Sequence, residues 1–162
     1  MKRESVQVEL LSGTEDLRDA MEVRRVVFTE EQGISPELDL DGLDSECDHY
    51  VGYVDGDPVA VTRVRHTGPG QAKIERVATV EGHRNRGIGT ELTRKIISDL
   101  SRKDVLEVNL SAQTTARDFY ERMGFEVIGE EYEEAGIPHV RMTKWLGRNG
   151  ILATGSLGTI TQ

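Results

Sequence analysis

The segment Arg84-Asn85-Arg86-Gly87-Ile88-Gly89 concentrates groups that can hold a phosphate. It stands between a run that reads as a strand, residues 73–80, and one in which Ile88, Leu92, Ile96, Ile97 and Leu100 recur at helical spacing. The first amides of a helix have no acceptor inside it and carry partial positive charge. Glycines at 87 and 89 remove Cβ atoms, so an anion can come close to that backbone, and Arg84 and Arg86 add full charges with forked donors. The set suits a diphosphate. It is neither Gly-x-Gly-x-x-Gly nor the loop that ends Gly-Lys-Ser/Thr, and by itself it also reads as a surface turn with basic residues ahead of an ordinary helix.

A second cluster is acidic. Glu37, Asp39, Asp41, Gly42, Asp44, Glu46 and Asp48 fall within residues 34–48. The spacing approaches a calcium loop but fails at both ends, which call for Asp first and Glu last, and a strand rather than a helix follows. We expect no metal site; a solvated negative lip that favours a cationic amine fits the run better. Cys47 is the sole cysteine, so no internal disulfide can form, and it reads as a core bystander. His66 and His83 sit in loops, whereas His139 follows Pro138 in a Gly-Ile-Pro-His run and either lines a pocket or hydrogen-bonds a turn.

Val6, Val8 and Leu10 alternate with polar residues as a first strand. Thr14 can cap a helix carrying Leu17, Ala20, Met21, Val27 and Phe28 and ending near Gly33. Residues 49–54 and 58–64 form a hairpin around Asp55-Gly56-Asp57, and Gly68-Pro69-Gly70 turns the chain into the strand at 73–80. After the helix that opens at Gly87 come a strand at 105–110 and a short helix with Ala116, Phe119, Tyr120 and Met123 inside and Gly124 as its stop. Residues 125–128 and 140–143 read as closing strands. This β-α-β-β-β-α-β-α-β-β order predicts one α/β domain over residues 1–146, with residues 147–162 a tail or an extra strand.

With 162 residues, 36% hydrophobic and 30% charged, the chain can bury a full core without staples. A formal net charge of −9 disfavours nucleic acid and anionic membranes as partners. No apolar run approaches the ~18 residues of a membrane span and no export signal is visible, so a cytoplasmic location is expected.

Arg84-x-x-Gly87-x-Gly89 resembles the Arg/Gln-x-x-Gly-x-Gly/Ala signature of the GCN5-related N-acetyltransferases (GNAT). Residues 73–80 resemble that family's fourth strand, and Leu110 through Phe125 its fifth strand and following helix. Glu31-Gln32-Gly33-Ile34, Asp41-Gly42-Leu43-Asp44 and Ala135-Gly136-Ile137-Pro138-His139 are similar to the ElaA-like branch. The resemblance covers roughly residues 5 to 146. It implies a central mixed, mostly antiparallel twisted sheet of six to seven strands flanked by helices, with strands four and five splayed around the pantetheine arm of acetyl-CoA.

Residue by residue, the resemblance implies that backbone groups of Val77, Ala78 and Thr79 bond the arm. It puts the pyrophosphate on the amides of Arg84, Asn85, Arg86, Gly87, Ile88, Gly89 and Thr90. Gln113 stands where family members commonly have Asn, and keeps a donor on a longer arm. Tyr120 matches the tyrosine beside the sulfur and would be the acid. Glu75 is the base candidate: strand alternation puts it on one face with Val77 and Thr79, and partial desolvation would raise its pKa; its alternative is an ion pair with Arg63 or Arg76. Gln32 and His139 are candidate contacts to the acceptor. The implied activity is direct transfer of acetyl from acetyl-CoA to a primary amine of a small molecule or protein. A module that binds acyl-CoA without turnover and a transferase of longer acyl groups stay open, as does a homodimer.

Overall fold

A computed structural model describes residues 5–147. Within them the chain forms two compact units, residues 5–65 with 74–98 and residues 66–73 with 99–147. In the first, β1 (Gln7–Ser12), β2 (Asp48–Val54), β3 (Asp57–Gly68) and β4 (Gln71–Thr79) are neighbours in chain order. β1 is antiparallel to β2 and β2 to β3. The turn between the last two holds Asp55 and Gly56 at φ 51° and 83°, the left-handed pair that matches the twist of a two-residue hairpin. The tip of the β3–β4 hairpin, residues 66–73, belongs to the second unit.

The helix expected from Thr14 starts later. The Thr14 hydroxyl meets that of Ser12 instead of capping, and Asp16 accepts the backbone N–H of Arg18 at 3.0 Å. Helix α1 (Arg18–Arg24) then runs into a π-helical segment, Arg25–Glu31, in which Gln32 N–H donates to the Val27 carbonyl at 3.0 Å. Gly33, at φ 71°, ends it where the sequence places the stop. Ala20, Val23, Val27 and Phe28 from this helix pack with Val51, Val61 and Ala78 of the sheet. The acidic stretch is not a plain loop: it contains the short helix α2 (Pro36–Asp39) and a turn of 3₁₀ helix at Asp44–Glu46. Helix α3 (Ile88–Arg102) rests at Gly52, where an added Cβ would come within 2.8 Å of Leu92 Cδ1. Val51 and Gly52 are successive and point to opposite faces of the pleat, so helices cover both faces of β2.

In the second unit the strand order is β5 (Glu107–Gln113), β7 (Ile137–Trp145), β6 (Glu126–Glu134), with β7 antiparallel to both neighbours. β5 begins later than its apolar run. The Val105 N–H closes the end of α3 on the Leu100 carbonyl at 3.2 Å, and the Leu106 N–H donates to Gly70 O at 2.8 Å. Helix α4 (Arg117–Arg122) ends at Gly124, φ 94°. β6 and β7 exceed the predicted 125–128 and 140–143 because Ala135-Gly136, at φ 53° and 75°, turns them into one hairpin. An alanine in the left-handed region gives no turn signal in the sequence.

Seven strands, mostly antiparallel and flanked by helices, are the α/β architecture expected from the sequence. The expected tail lies outside the described residues from position 148 onward. No helix of the described residues is long and apolar enough to cross a membrane.

Candidate active site

After β4 the chain makes a 3₁₀ turn, Glu81–His83, and reaches α3 through Arg84 to Gly87. Asn85 and Gly87 take φ of 61° and 85°, so the loop curls by alternating left-handed residues, which Asn tolerates and Gly adopts without strain. The Glu91 N–H donates to the Gly87 carbonyl at 3.1 Å. The amides of Ile88, Gly89 and Thr90 therefore lie in the first turn, where a helix offers them no acceptor.

Arg84 departs from expectation. Its Nε donates to the Thr79 carbonyl at 2.8 Å, and its Nη1 and Nη2 donate to the Glu31 carboxylate at 2.7 and 2.5 Å. The hydrogen bonds of this pair lower the Glu31 pKa and raise that of Arg84. Arg84 is thus a brace that ties the loop to the end of β4 and to the π-helical segment, and its charge is already matched. Glu31 appears in the sequence only as part of a motif; the Arg84 contact gives it a physical role.

Glu75 is clamped. Its Oε1 accepts from Arg63 Nη2 at 2.8 Å and Arg65 Nε at 3.1 Å, and its Oε2 from Arg65 Nη2 at 2.9 Å. Burial opposes ionisation, but the two guanidinium groups outweigh it and hold the Glu75 pKa down to about 2. The expectation of a raised pKa is corrected: desolvation is present, and paired positive charge overrides it.

The shared face of Glu75, Val77 and Thr79 is corrected too. Arg76 sits at φ 53° in mid-strand, a conformation costing an L-residue roughly 1–2 kcal/mol. This extra left-handed step reverses the alternation. Glu75 lies on the side of Arg63, and beyond Arg76 it is Ala78 that joins the core of Val51 and Val61 on that side. Val77 then points the other way and is 38% exposed. The Arg76 side chain repays the strain by binding Asp39 Oδ1 at 3.0 Å and Asp41 Oδ2 at 3.2 Å.

The acidic stretch is consequently no negative lip. Arg24, fully buried, binds Asp39 at 3.1 Å and Asp44 at 2.7 Å. Arg63, also fully buried, binds Asp41 at 2.7 Å and Asp44 at 2.9 Å besides Glu75. Four arginines thus face four carboxylates. The hydrogen bonds from Arg63 pull the Asp41 pKa far below the ordinary carboxylate range, and those from Arg24 and Arg63 lower that of Asp44 against its burial. Cys47 is buried nearby, and desolvation raises its pKa, as befits a bystander.

The second unit carries the remaining candidates. Tyr120 on α4 is buried between Phe119 and Phe125, whose rings meet it edge-on at 5.0 and 5.7 Å, and burial pushes its pKa above the ordinary phenol value. Gln113 ends β5 and stands opposite His139 on β7. His139 is a strand residue that faces Tyr132 of β6 on its other side, and its ring bonds the Ile137 carbonyl next to the Ala135-Gly136 turn. Gln32, half-buried, ends the π-helical segment beside Glu31.

A family model for the GNAT acetyltransferase domain matches residues 26–146, and the chain belongs to this family. The chain is 36% identical to the N-acetyltransferase YjcF of Bacillus subtilis, across 80% of this chain and 93% of that one. It is 32% identical to ElaA of Escherichia coli, across 76% and 84%. The crystal structure of ElaA superimposes with a TM-score of 0.78 at 28% identity, covering 86% of this chain and 99% of that one. An acyl-CoA N-acyltransferase from Pseudomonas aeruginosa does so at 0.76 and 29%, with the same coverage. The chain is accordingly an acetyltransferase of the GNAT family.

Proposed function

We propose that this acetyltransferase moves an acetyl group from acetyl-CoA to a primary amine, of a small molecule or a protein, by direct attack of the amine on the thioester. The observation that carries the reading is the strand, loop and helix from β4 to α3, with the left-handed Gly87 leading into first-turn amides that an anion can reach. The P. aeruginosa neighbour is named for an acyl-CoA donor. Here the pyrophosphate sits on the amides of Arg84 to Thr90, the pantetheine arm on backbone groups of Val77, Ala78 and Thr79, and the Gln113 amide adds a donor.

Tyr120 serves the departing sulfur. Its raised pKa keeps the phenol protonated at neutral pH. It is then a weaker acid than the thiol it faces, so it stabilises the thiolate by donating a hydrogen bond rather than by full proton transfer. Glu75, ionised and doubly paired, is too weak a base to take a proton from an alkylammonium; it holds Arg63 and Arg65. Gln32 and His139 are the proposed contacts to the acceptor.

Thiol release from acetyl-CoA across an amine panel tests this. Turnover of at least one primary amine is expected, with Tyr120→Phe lowering kcat about tenfold or more while CoA binding persists. CoA binding without turnover of any amine, and basal hydrolysis unchanged in Tyr120→Phe, would instead mark a binding module.

A further inference from the structure

With Glu75 paired to Arg63 and Arg65, β7 offers a different candidate to take the amine proton. His139 Nδ1 lies 2.7 Å from the carbonyl oxygen of Ile137. A carbonyl oxygen can only accept, so Nδ1 carries the hydrogen, and the neutral imidazole keeps its lone pair on Nε2. The backbone two residues away thus fixes the tautomer. Nε2 is 4.0 Å from the Glu134 carboxylate, beyond a hydrogen bond.

The ring is held in place. The residue is buried, its side chain 9% exposed, and the imidazole lies beside the Tyr132 ring, centroids 6.1 Å apart. The Tyr132 hydroxyl hydrogen-bonds Ser111 Oγ, anchoring that ring to β5. Glu134 and Tyr132 on β6 lie against His139, and the guanidinium of Arg141 on β7 lies over the Tyr132 ring at 5.2 Å from its centroid. From β5 the register neighbour is Gln113, which carries no charge.

We propose that His139 Nε2 is the general base of the transfer. This rests on the function proposed above, in which Gln113 and Tyr120 face the thioester. An alkylammonium gives one proton to Nε2 and attacks as the neutral amine. The C–N bond forms, the C–S bond breaks, the electron pair leaves on sulfur, and the second amine proton ends on the thiolate. The imidazolium then returns its proton to solvent.

The test is kcat and KM for the best amine of the panel in the wild type and His139→Gln, with and without added imidazole. His139→Gln should lose on the order of a hundredfold in kcat, with the KM for acetyl-CoA and the melting temperature nearly unchanged, and added imidazole should restore part of the rate. A kcat within threefold of wild type in His139→Gln, or no rescue by imidazole, overturns the assignment and leaves the transferase reading intact. Failure of the wild type to acetylate any amine while binding CoA overturns both.

Discussion

Replacing Glu75 by glutamine separates two opposite accounts of this carboxylate. Its ion pairs with Arg63 and Arg65 hold the folded-state pKa at about 2, against an ordinary 4.5. Because the folded value lies below the unfolded one, ionised Glu75 stabilises the fold fully above 4.5, and that contribution is lost as pH falls through 2. At about 1.4 kcal/mol for each tenfold change in acidity, the depression corresponds to about 3 kcal/mol. The side chain is 9% exposed, so solvent screening removes little of this. Urea denaturation of wild type and Glu75→Gln at pH 7, 5, 4 and 3 reads it directly. The variant should be less stable by about 3 kcal/mol at pH 7, and the gap should shrink below pH 4.5. A carboxylate poised as a base, with a raised pKa, gives the reverse sign: glutamine would then match or exceed the wild type at neutral pH. A gap that stays constant from pH 7 to 3, or a variant more stable at pH 7, would refute the ion-pair account.

Two further outcomes follow from the same contacts. Asp44 bridges Arg24 and Arg63, both fully buried, so Asp44→Asn should cost about 3 kcal/mol, the lower end for a broken buried pair because Asp39, Asp41 and Glu75 remain. For a domain of this size that is a fall in Tm of roughly 6–12 °C by scanning calorimetry, and a fall under 2 °C would mean the cluster is not under the strain of buried charge. Glu31→Gln and Arg84→Met should each raise the KM for acetyl-CoA several-fold, with the double variant no worse than either alone, since both break one clasp. Were Arg84 a phosphate ligand restrained by Glu31, Glu31→Gln would lower that KM instead.

What the sequence makes legible is what depends on neighbours along the chain. The period of α3, the glycines before it and the Asp55-Gly56 turn are local signals, and each appears where it was read. The clamp on Glu75 joins residues 10 and 12 positions apart, and the arginine contacts to the acidic stretch span 15 to 37. Nothing in composition distinguishes an aspartate bound by a buried guanidinium from a solvated one. The left-handed Arg76 is harder still, because arginine gives no local preference for that conformation and only Asp39 and Asp41 hold it there. One such step inverts the strand's two faces, which is why alternation put Glu75 with the wrong neighbours.

The acidic stretch shows why a formal charge is a poor guide to a field. The chain has a net charge of −9, and Asp39, Asp41 and Asp44 sit in its most acidic run. Yet these three and Glu75 are matched by Arg24, Arg63, Arg65 and Arg76 within hydrogen-bond distance. At a few ångströms from such a pair the potentials of the two ions largely cancel, so the cluster attracts a cationic amine little more than a neutral surface would. Its effect is positional: it fixes residues 36–46 to α1, β3 and β4 through side chains whose release would leave two arginines buried without counter-charge. Charge can act on a substrate only where it is not already matched. By that criterion the Glu75 carboxylate and the Arg84 guanidinium hold the scaffold, and the base proposed for the transfer is a neutral group, His139 Nε2, whose ring hydrogen is fixed on Nδ1.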